Sequence, residues 1–515
     1  MKGFGFLFLL LTFAGSAPPA SAAPGFDSGL TQRIYTVALT FIAPRALAPV
    51  SVPQLTLWGL RGITALDPDL TAELRSGRLI LASRRGVVLS LAAPMDERAG
   101  AWAALATTIQ AAAWNASPAL RRAGTEGVVG SFFDEMFDHM DPYSRYIAPR
   151  AAAADEAARG GGTGIGLRPA RRGGAVIAGR VNPQGPAGRA GVRPGDVILA
   201  VDGHAVPGAK LATVAGWLAG AEGSTVRLRW VVPGRGTVTT AIARVRVPPR
   251  TVFSDRLAGM LLVRITRFNR ATDTEFAAAI AGGMATRKPP DGIVLDLRGD
   301  PGGLLDQAVA VADALLGAGV VARTDGRAQA ASTIWRSAAG ELAPGEPVVV
   351  LIDGRTASAA EILAAALADR GRAVVVGSAS FGKGLVQSFT RLPGGGELFV
   401  TWSRVLAPRG WPIQAVGVLP QICTSLGVTA VERQLGALEA GTQPMLGALV
   451  AERRLRAPVP PAEAVAVRAA CPAAVGQEVD LEAAHYLIGH PAAYAAALLP
   501  PLRERLALPG AGGAP

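Results

Sequence analysis

"PVVVLIDGRTASAAEILAAALADRGRAVVVG", residues 347–377, runs from an apolar stretch through a turn into an Ala- and Leu-rich stretch and back to an apolar one. Short apolar runs bounded by turn residues read as buried strands, and the segment between them holds a strong helix former at most positions. The same alternation precedes it, in "GMLLVRI", "TDTEFAAAIAGGM", "GIVLDLR" and "LLDQAVAVADALL". Buried strands alternating with amphipathic helices predict an α/β unit over residues 250–422.

Outward from this unit the pattern changes on both sides. Residues 160–249 are richer in strands than helices: a glycine-rich start "GTGIGL", the strand-like "AVIAGRV", the run "GPAGRAGVRPGDVILAVDGHAV", a helical "KLATVAGWLAG" and a strand pair around "TVRLRWVV". The preceding "RAAAADEAARGGGTG" reads as a small-residue linker marking a boundary near residue 160. Residues 23–159 are mainly helical, with a hairpin expected in "RLILASRRGVVLSLAAP". Residues 423–515 form a Pro- and Ala-rich, mainly helical tail.

The first residues, "MKGFGFLFLLLTFAGSAPPASAAP", join one lysine to a short apolar stretch and a small-residue site, the pattern of a signal peptide cut after Ala22. Export to the periplasm is therefore expected, and Cys423 and Cys471 would then meet conditions in which a disulfide persists. Such a bridge closes a loop of about 50 residues, worth roughly 4 kcal/mol in the chain-entropy model. The net charge of +12 comes from arginines scattered along a chain poor in aromatics. That fits peripheral attraction to an anionic membrane surface and not nucleic-acid binding.

Only four of the 51 Lys and Arg residues are lysine, and one of them, Lys383, lies in "SASFGKGLVQ". Unlike arginine, a buried lysine can lose its proton. Gly377, Gly382 and Lys383 fit a phosphate-loop spacing, but Gly384 replaces the expected Ser or Thr and the following sequence alternates like a hairpin. A second use of neutral lysine is as general base to a serine. His139, His204, His485 and His490 all lie outside the α/β unit. Ser358, ahead of a helix, sits where backbone N–H groups and the helix dipole favour negative charge; the plainer reading is an N-cap with Glu361 completing a capping box. If residues 383–389 are a strand, Lys383, Leu385 and Gln387 share a face and the Gln387 amide can hold the lysine. "DLRGDPGGLLDQAV" adds a strand end and a glycine turn whose amides can approach a reacting carbonyl.

In this order, "DLRGDPGGLL", "TASAAEILAAAL" and "VVVGSASFGKGLVQ" closely resemble the C-terminal processing peptidases, or tail-specific proteases. These are serine proteases with a Ser-Lys dyad. The likeness extends from "DPYSRYIAP" near residue 141 to "PRGWPIQAVGVLP" near 420. It implies a crotonase/ClpP-like β-β-α core with an inserted, mostly β PDZ domain. By this resemblance Ser358 is the nucleophile, Lys383 the general base and Gln387 its orienting residue. The Ala359 amide and one from Gly302 or Gly303 form the oxyanion hole. Gly164, Ile165, Gly166 and Leu167 match the PDZ loop that receives a C-terminal carboxylate, while Arg168, Lys210 and Lys288 read as surface residues. Two departures stand out: Gly299 and Asp300 replace the family's paired Asn, and Gln421 replaces an Asp after Pro420.

The implied function is an exported endopeptidase that binds apolar C-terminal tails and cleaves by an acyl-enzyme route. No metal or organic cofactor is implied. An adaptor protein and a homo-oligomer formed through the flanking helices are expected partners. The alternatives are a catalytically inactive PDZ scaffold on the same fold and, more remotely, a nucleotide-binding protein.

Overall fold

The computed structural model describes residues 25–500 apart from Pro233 and Ala339. The signal-peptide reading, residues 1–22, lies outside the described residues. The chain divides into two compact units, one made of residues up to Leu39 with Ser51–His139, the other of Thr40–Val50 with the chain from Met140 onward.

In the first unit, the helices Val52–Leu60, Ala99–Ala116 and Pro118–Asp138 accompany a three-stranded antiparallel sheet of Leu70–Arg75, Arg78–Ser83 and Gly86–Ala92. The hairpin expected from residue 78 is there, joined by a strand that the sequence had not suggested. The Tyr35 and Phe132 rings stack with centroids 4.0 Å apart, and Tyr35 donates its hydroxyl to buried Gln110.

The second unit is built on a six-stranded sheet in the order Val252–Leu257, Met260–Ile265, Ile293–Asp296, Val348–Ile352, Val374–Gly377, Ile422–Cys423. The first pair is antiparallel and the rest run parallel. Successive strand residues face opposite sides. Val348, Val350 and Ile352 pack with the helices Thr272–Met284, Leu305–Asp313 and Ala359–Asp369. Val349 and Leu351 instead pack with the tail helices Val428–Glu439, Glu478–Gly489 and Pro491–Ala497. Covering both faces explains why the strands read as continuous apolar runs.

A second sheet orders Thr333–Ser337, Gly319–Gly326, Glu397–Leu406 and Leu385–Arg391, with Arg145–Ile147 paired to Glu397–Leu406. A third forms the β unit: Gly236–Ala243, Thr225–Val232, Val197–Val201, Ala175–Val181 and, at the edge, Leu167–Arg172. Ile165, Ile198, Leu228 and Trp230 fill its core.

The segment read as a linker is instead the helix Pro149–Gly160. Its alanines favour a helix, and Arg159 fixes its end by pairing with Asp155, Glu156 and the buried Glu397. Cys423 and Cys471 are joined by a disulfide. No described helix is long and apolar enough to cross a membrane.

Candidate active site

The strand Val348–Ile352 ends at Asp353, whose Oδ1 accepts the N–H groups of Gly299 (2.9 Å), Arg355 (2.9 Å) and Thr356 (3.0 Å). Burial opposes the charge on Asp353, but the Gly299, Arg355 and Gly476 amides and the Arg355 guanidinium outweigh it and hold the carboxyl below its usual range. The turn delivers Ser358 at φ 57° and ψ −117°, a region strained for a residue with a Cβ, directly before the helix Ala359–Asp369. As the first helical residue, Ala359 leaves its N–H without an intrahelical acceptor.

Gly302 packs against this turn. A Cβ on it would lie 2.8 Å from both the Ala359 nitrogen and the Ser358 Cβ. Its N–H donates to Asp300 Oδ1 at 2.7 Å, and its carbonyl accepts from Phe268 N at 3.1 Å. Leu304 N donates to Phe268 O at 3.0 Å, so Gly303 bridges Phe268, and a Cβ on it would meet that carbonyl at 2.0 Å. The Gly302 amide is thus occupied, whereas that of Gly303 has no acceptor among the described residues.

Asp300 is fully buried, and its Oδ2 has no partner. Burial pushes its pKa up to about 8 against the opposing pull of the Gly302 amide and Arg267. The carboxyl is therefore largely neutral at pH 7 and adds little charge beside the glycine turn.

Lys383 is half-buried on the loop between the strands Val374–Gly377 and Leu385–Arg391. The strand after it, in place of a helix, removes the phosphate-loop geometry. Burial first, and then the Arg145 charge, lower the Lys383 pKa, while Glu361 and Asp141 raise it. Its Nζ lies 4.9 Å from the centroid of the Tyr143 ring and is not hydrogen-bonded to Ser358 Oγ. The backbones of the two residues are nevertheless tied to one atom: Glu361 Oε2 accepts from Ser358 N (2.7 Å) and Lys383 N (2.9 Å). Glu361 Oε1 accepts from Gly382 N (2.7 Å) and from the Ser380 hydroxyl. Glu361 is fully buried, which raises its pKa against those four hydrogen bonds.

Gln387 makes no hydrogen bond to Lys383 among the described residues. Its Nε2 donates to Leu385 O (3.1 Å) and Thr401 Oγ1 (3.2 Å), because the strand starts only at Leu385 and a bulge between Val386 and Gln387 breaks the expected alternation. Thr401 Oγ1 in turn donates to Asp141 Oδ1 at 2.6 Å. Asp141, Tyr143 and Thr401 were absent from the sequence reading as site residues. The "DPYSRYIAP" segment was the available signal.

In the β unit, Gly164, Ile165, Gly166 and Leu167 open a groove of ≈ 790 Å³ lined also by Ala215 and Leu218. The helix Leu211–Leu218 forms one wall and the edge strand Leu167–Arg172 the other. Arg168 lines it as well and is exposed, as read. No group of His, Cys, Asp or Glu among the described residues is arranged to hold a metal. In the core sheet, Gln421, at the second departure, is buried and caps Val375 N at 2.8 Å.

Residues 259–424 match the model of Peptidase family S41, and residues 177–232 match a PDZ domain. The carboxy-terminal-processing protease of Bartonella bacilliformis is 35% identical over 292 residues, 55% of this chain and 66% of that protein. The carboxyl-terminal-processing protease of a Picosynechococcus strain is 32% identical over 298 residues, 54% of this chain and 69% of that protein. The chain thus spans just under two thirds of the Bartonella relative. Among solved structures, the photosystem II D1 C-terminal processing protease aligns at 28% identity with a TM-score of 0.36, covering 74% of this chain and 97% of its own.

Proposed function

Since the chain belongs to the C-terminal processing peptidases of family S41, we propose that it is an exported serine endopeptidase that captures protein C-termini in its PDZ groove and cleaves by a Ser358–Lys383 dyad. The observation that carries this reading is the single Glu361 oxygen accepting both the Ser358 and Lys383 amides, which holds the nucleophile and base loops on one buried atom.

Neutral Lys383 takes the Ser358 hydroxyl proton as Oγ attacks the peptide carbonyl carbon. The developing oxyanion takes the N–H groups of Gly303 and Ala359, the two free donors beside the nucleophile. The Lys383 ammonium then protonates the leaving amine, and the acyl-enzyme forms. Water, deprotonated by the same lysine, attacks the ester carbon, and the lysine ammonium returns that proton to Ser358 Oγ as it leaves, releasing the carboxylic acid. Gln387 acts one step further out, ordering Thr401 and Asp141 beside the lysine.

The tail's carboxylate is received by the Gly164–Leu167 loop, and the peptide adds as a strand beside Leu167–Arg172, with apolar side chains against Leu167 and Leu218. The disulfide supports an oxidising compartment. The test is cleavage of a peptide with a free apolar C-terminus by the wild type, Ser358→Ala and Lys383→Arg. Activity in the wild type and a loss on the order of 10³-fold or more in both variants is expected. Equal activity in all three would refute the dyad.

A further inference from the structure

Residues 471–477 and the first turn of the helix Glu478–Gly489 touch the loops that carry the proposed serine, lysine and glycine groups of the active site. Ala474 O accepts the N–H of Gly354 (2.7 Å), four positions before Ser358, and the hydroxyl of Ser378 (2.9 Å), five before Lys383. Ala474 N donates back to that hydroxyl at 3.0 Å. Gly476 N donates to Asp353 Oδ2 at 3.2 Å, on the carboxylate whose other oxygen builds the serine turn. Arg298, on the loop leading to Gly302 and Gly303, donates to Gln477 O (2.8 Å) and Asp480 Oδ2 (3.0 Å).

The segment is fastened at both ends. Cys471 is bonded to Cys423, on the edge strand of the core sheet, and Asp480 Oδ1 accepts the hydroxyl of Thr424, the next residue, at 2.6 Å. Small residues permit the close approach. A Cβ on Gly476 would lie 2.5 Å from the Arg298 Cδ, and one on Gly354 would lie 3.2 Å from the Ala473 Cβ. All of residues 471–480 lie beyond the stretch matched by the S41 model.

We infer that this strap, locked by the Cys423–Cys471 disulfide, sets the relative position of the serine, lysine and glycine loops, with Ser378 as its positioning residue. The inference rests on the peptidase reading above. Catalytic groups must be held to within about 0.5 Å, and a misplacement of about 1 Å can cost on the order of 10²-fold in rate. A clamp on the loop roots therefore acts on turnover and not on capture of the tail, which takes place in the β unit.

Two variants test it, Ser378→Ala and the double Cys423→Ser/Cys471→Ser, with kinetics on a tail peptide and amide hydrogen exchange on the same intact proteins. In both, kcat should fall about tenfold or more while KM stays within about twofold. Exchange should quicken at residues 354–359 and 378–383 and remain unchanged over 167–181. Should the double variant fail to fold, Ser378→Ala decides alone. Unchanged exchange at both loops, or wild-type kcat in Ser378→Ala, overturns the clamp. A wild type that cleaves nothing while Ser378→Ala still quickens loop exchange overturns the peptidase reading and leaves the clamp supported.

Discussion

As the proposed base, Lys383 can act only when neutral, so activity should climb with pH as it deprotonates, along a limb set below the usual lysine value by burial and by Arg145. Arg145→Gln removes a charge that disfavours the ammonium and should move that limb to higher pH. Asp141→Asn removes one that favours it and should move the limb to lower pH. Rate profiles of the two variants that coincide would show that Lys383 does not set the limb. Asp300 supplies a separate, thermodynamic signature. Its carboxyl titrates near 3.8 when unfolded and at about 8 in the native state. Between those values the native protein keeps a proton that the unfolded chain has lost, so stability falls as pH rises through that window. Asp300→Asn, which keeps an acceptor for Gly302 N, should make the slope shallower and be more stable than wild type by about 2–5 kcal/mol at pH 8. Urea midpoints at pH 5 and pH 8 measure this. At this scale the sequence pointed to Ser358, Lys383 and the glycine turn, because a rare lysine and a pre-helix serine stand out locally. Glu361 does complete the capping box read from the sequence, but its further bonds to Gly382 and Lys383 were not legible, since they come from residues about twenty positions on. Gln387 was misplaced by a bulge that alternation cannot foresee.

Among elements, the helix Pro149–Gly160 shows most plainly where local pattern fails. Alanines followed by glycines suit a linker as well as a helix, and the deciding contact, Arg159 to Glu397 at 2.7 Å, joins residues 238 positions apart. Glu397 is 2% exposed. Arg159→Ala would leave that carboxylate buried with only Arg391, 3.5 Å away, and should cost about 2–3 kcal/mol. Adding Glu397→Gln should recover most of the loss. A double variant no more stable than the single one would show that the helix end is not fixed by this pair. The core strands were easier to read, because burial on two faces writes uninterrupted apolar runs. Gly319–Gly326 and Thr333–Ser337 were passed over, since their mixed polar sequence carries neither such a run nor a clean alternation.

For the whole molecule, the proposed tail capture and the proposed bond cleavage would fall to separate parts of the chain, and kinetics can tell them apart. A substrate whose C-terminal carboxylate is replaced by an amide loses the charge that the Gly164–Leu167 loop is proposed to receive. Its KM should rise about tenfold or more with kcat little changed. Equal KM for acid and amide would remove the loop from substrate binding. The α/β core, the β unit and the helical flanks were all visible from periodicity. That the tail covers the second face of the core sheet was not, because amphipathicity marks a buried stripe without naming what buries it.

The strap also gives the chain an order of completion. Ser358, Gly303 and Lys383 precede Cys471 in the chain, and a chain halted between them carries every proposed reacting group and the Glu361 bonds between the serine and lysine loops, but none of the contacts made by the strap. Under the proposed clamp, the proposed dyad would reach its finished geometry only once this late segment has been oxidised into place.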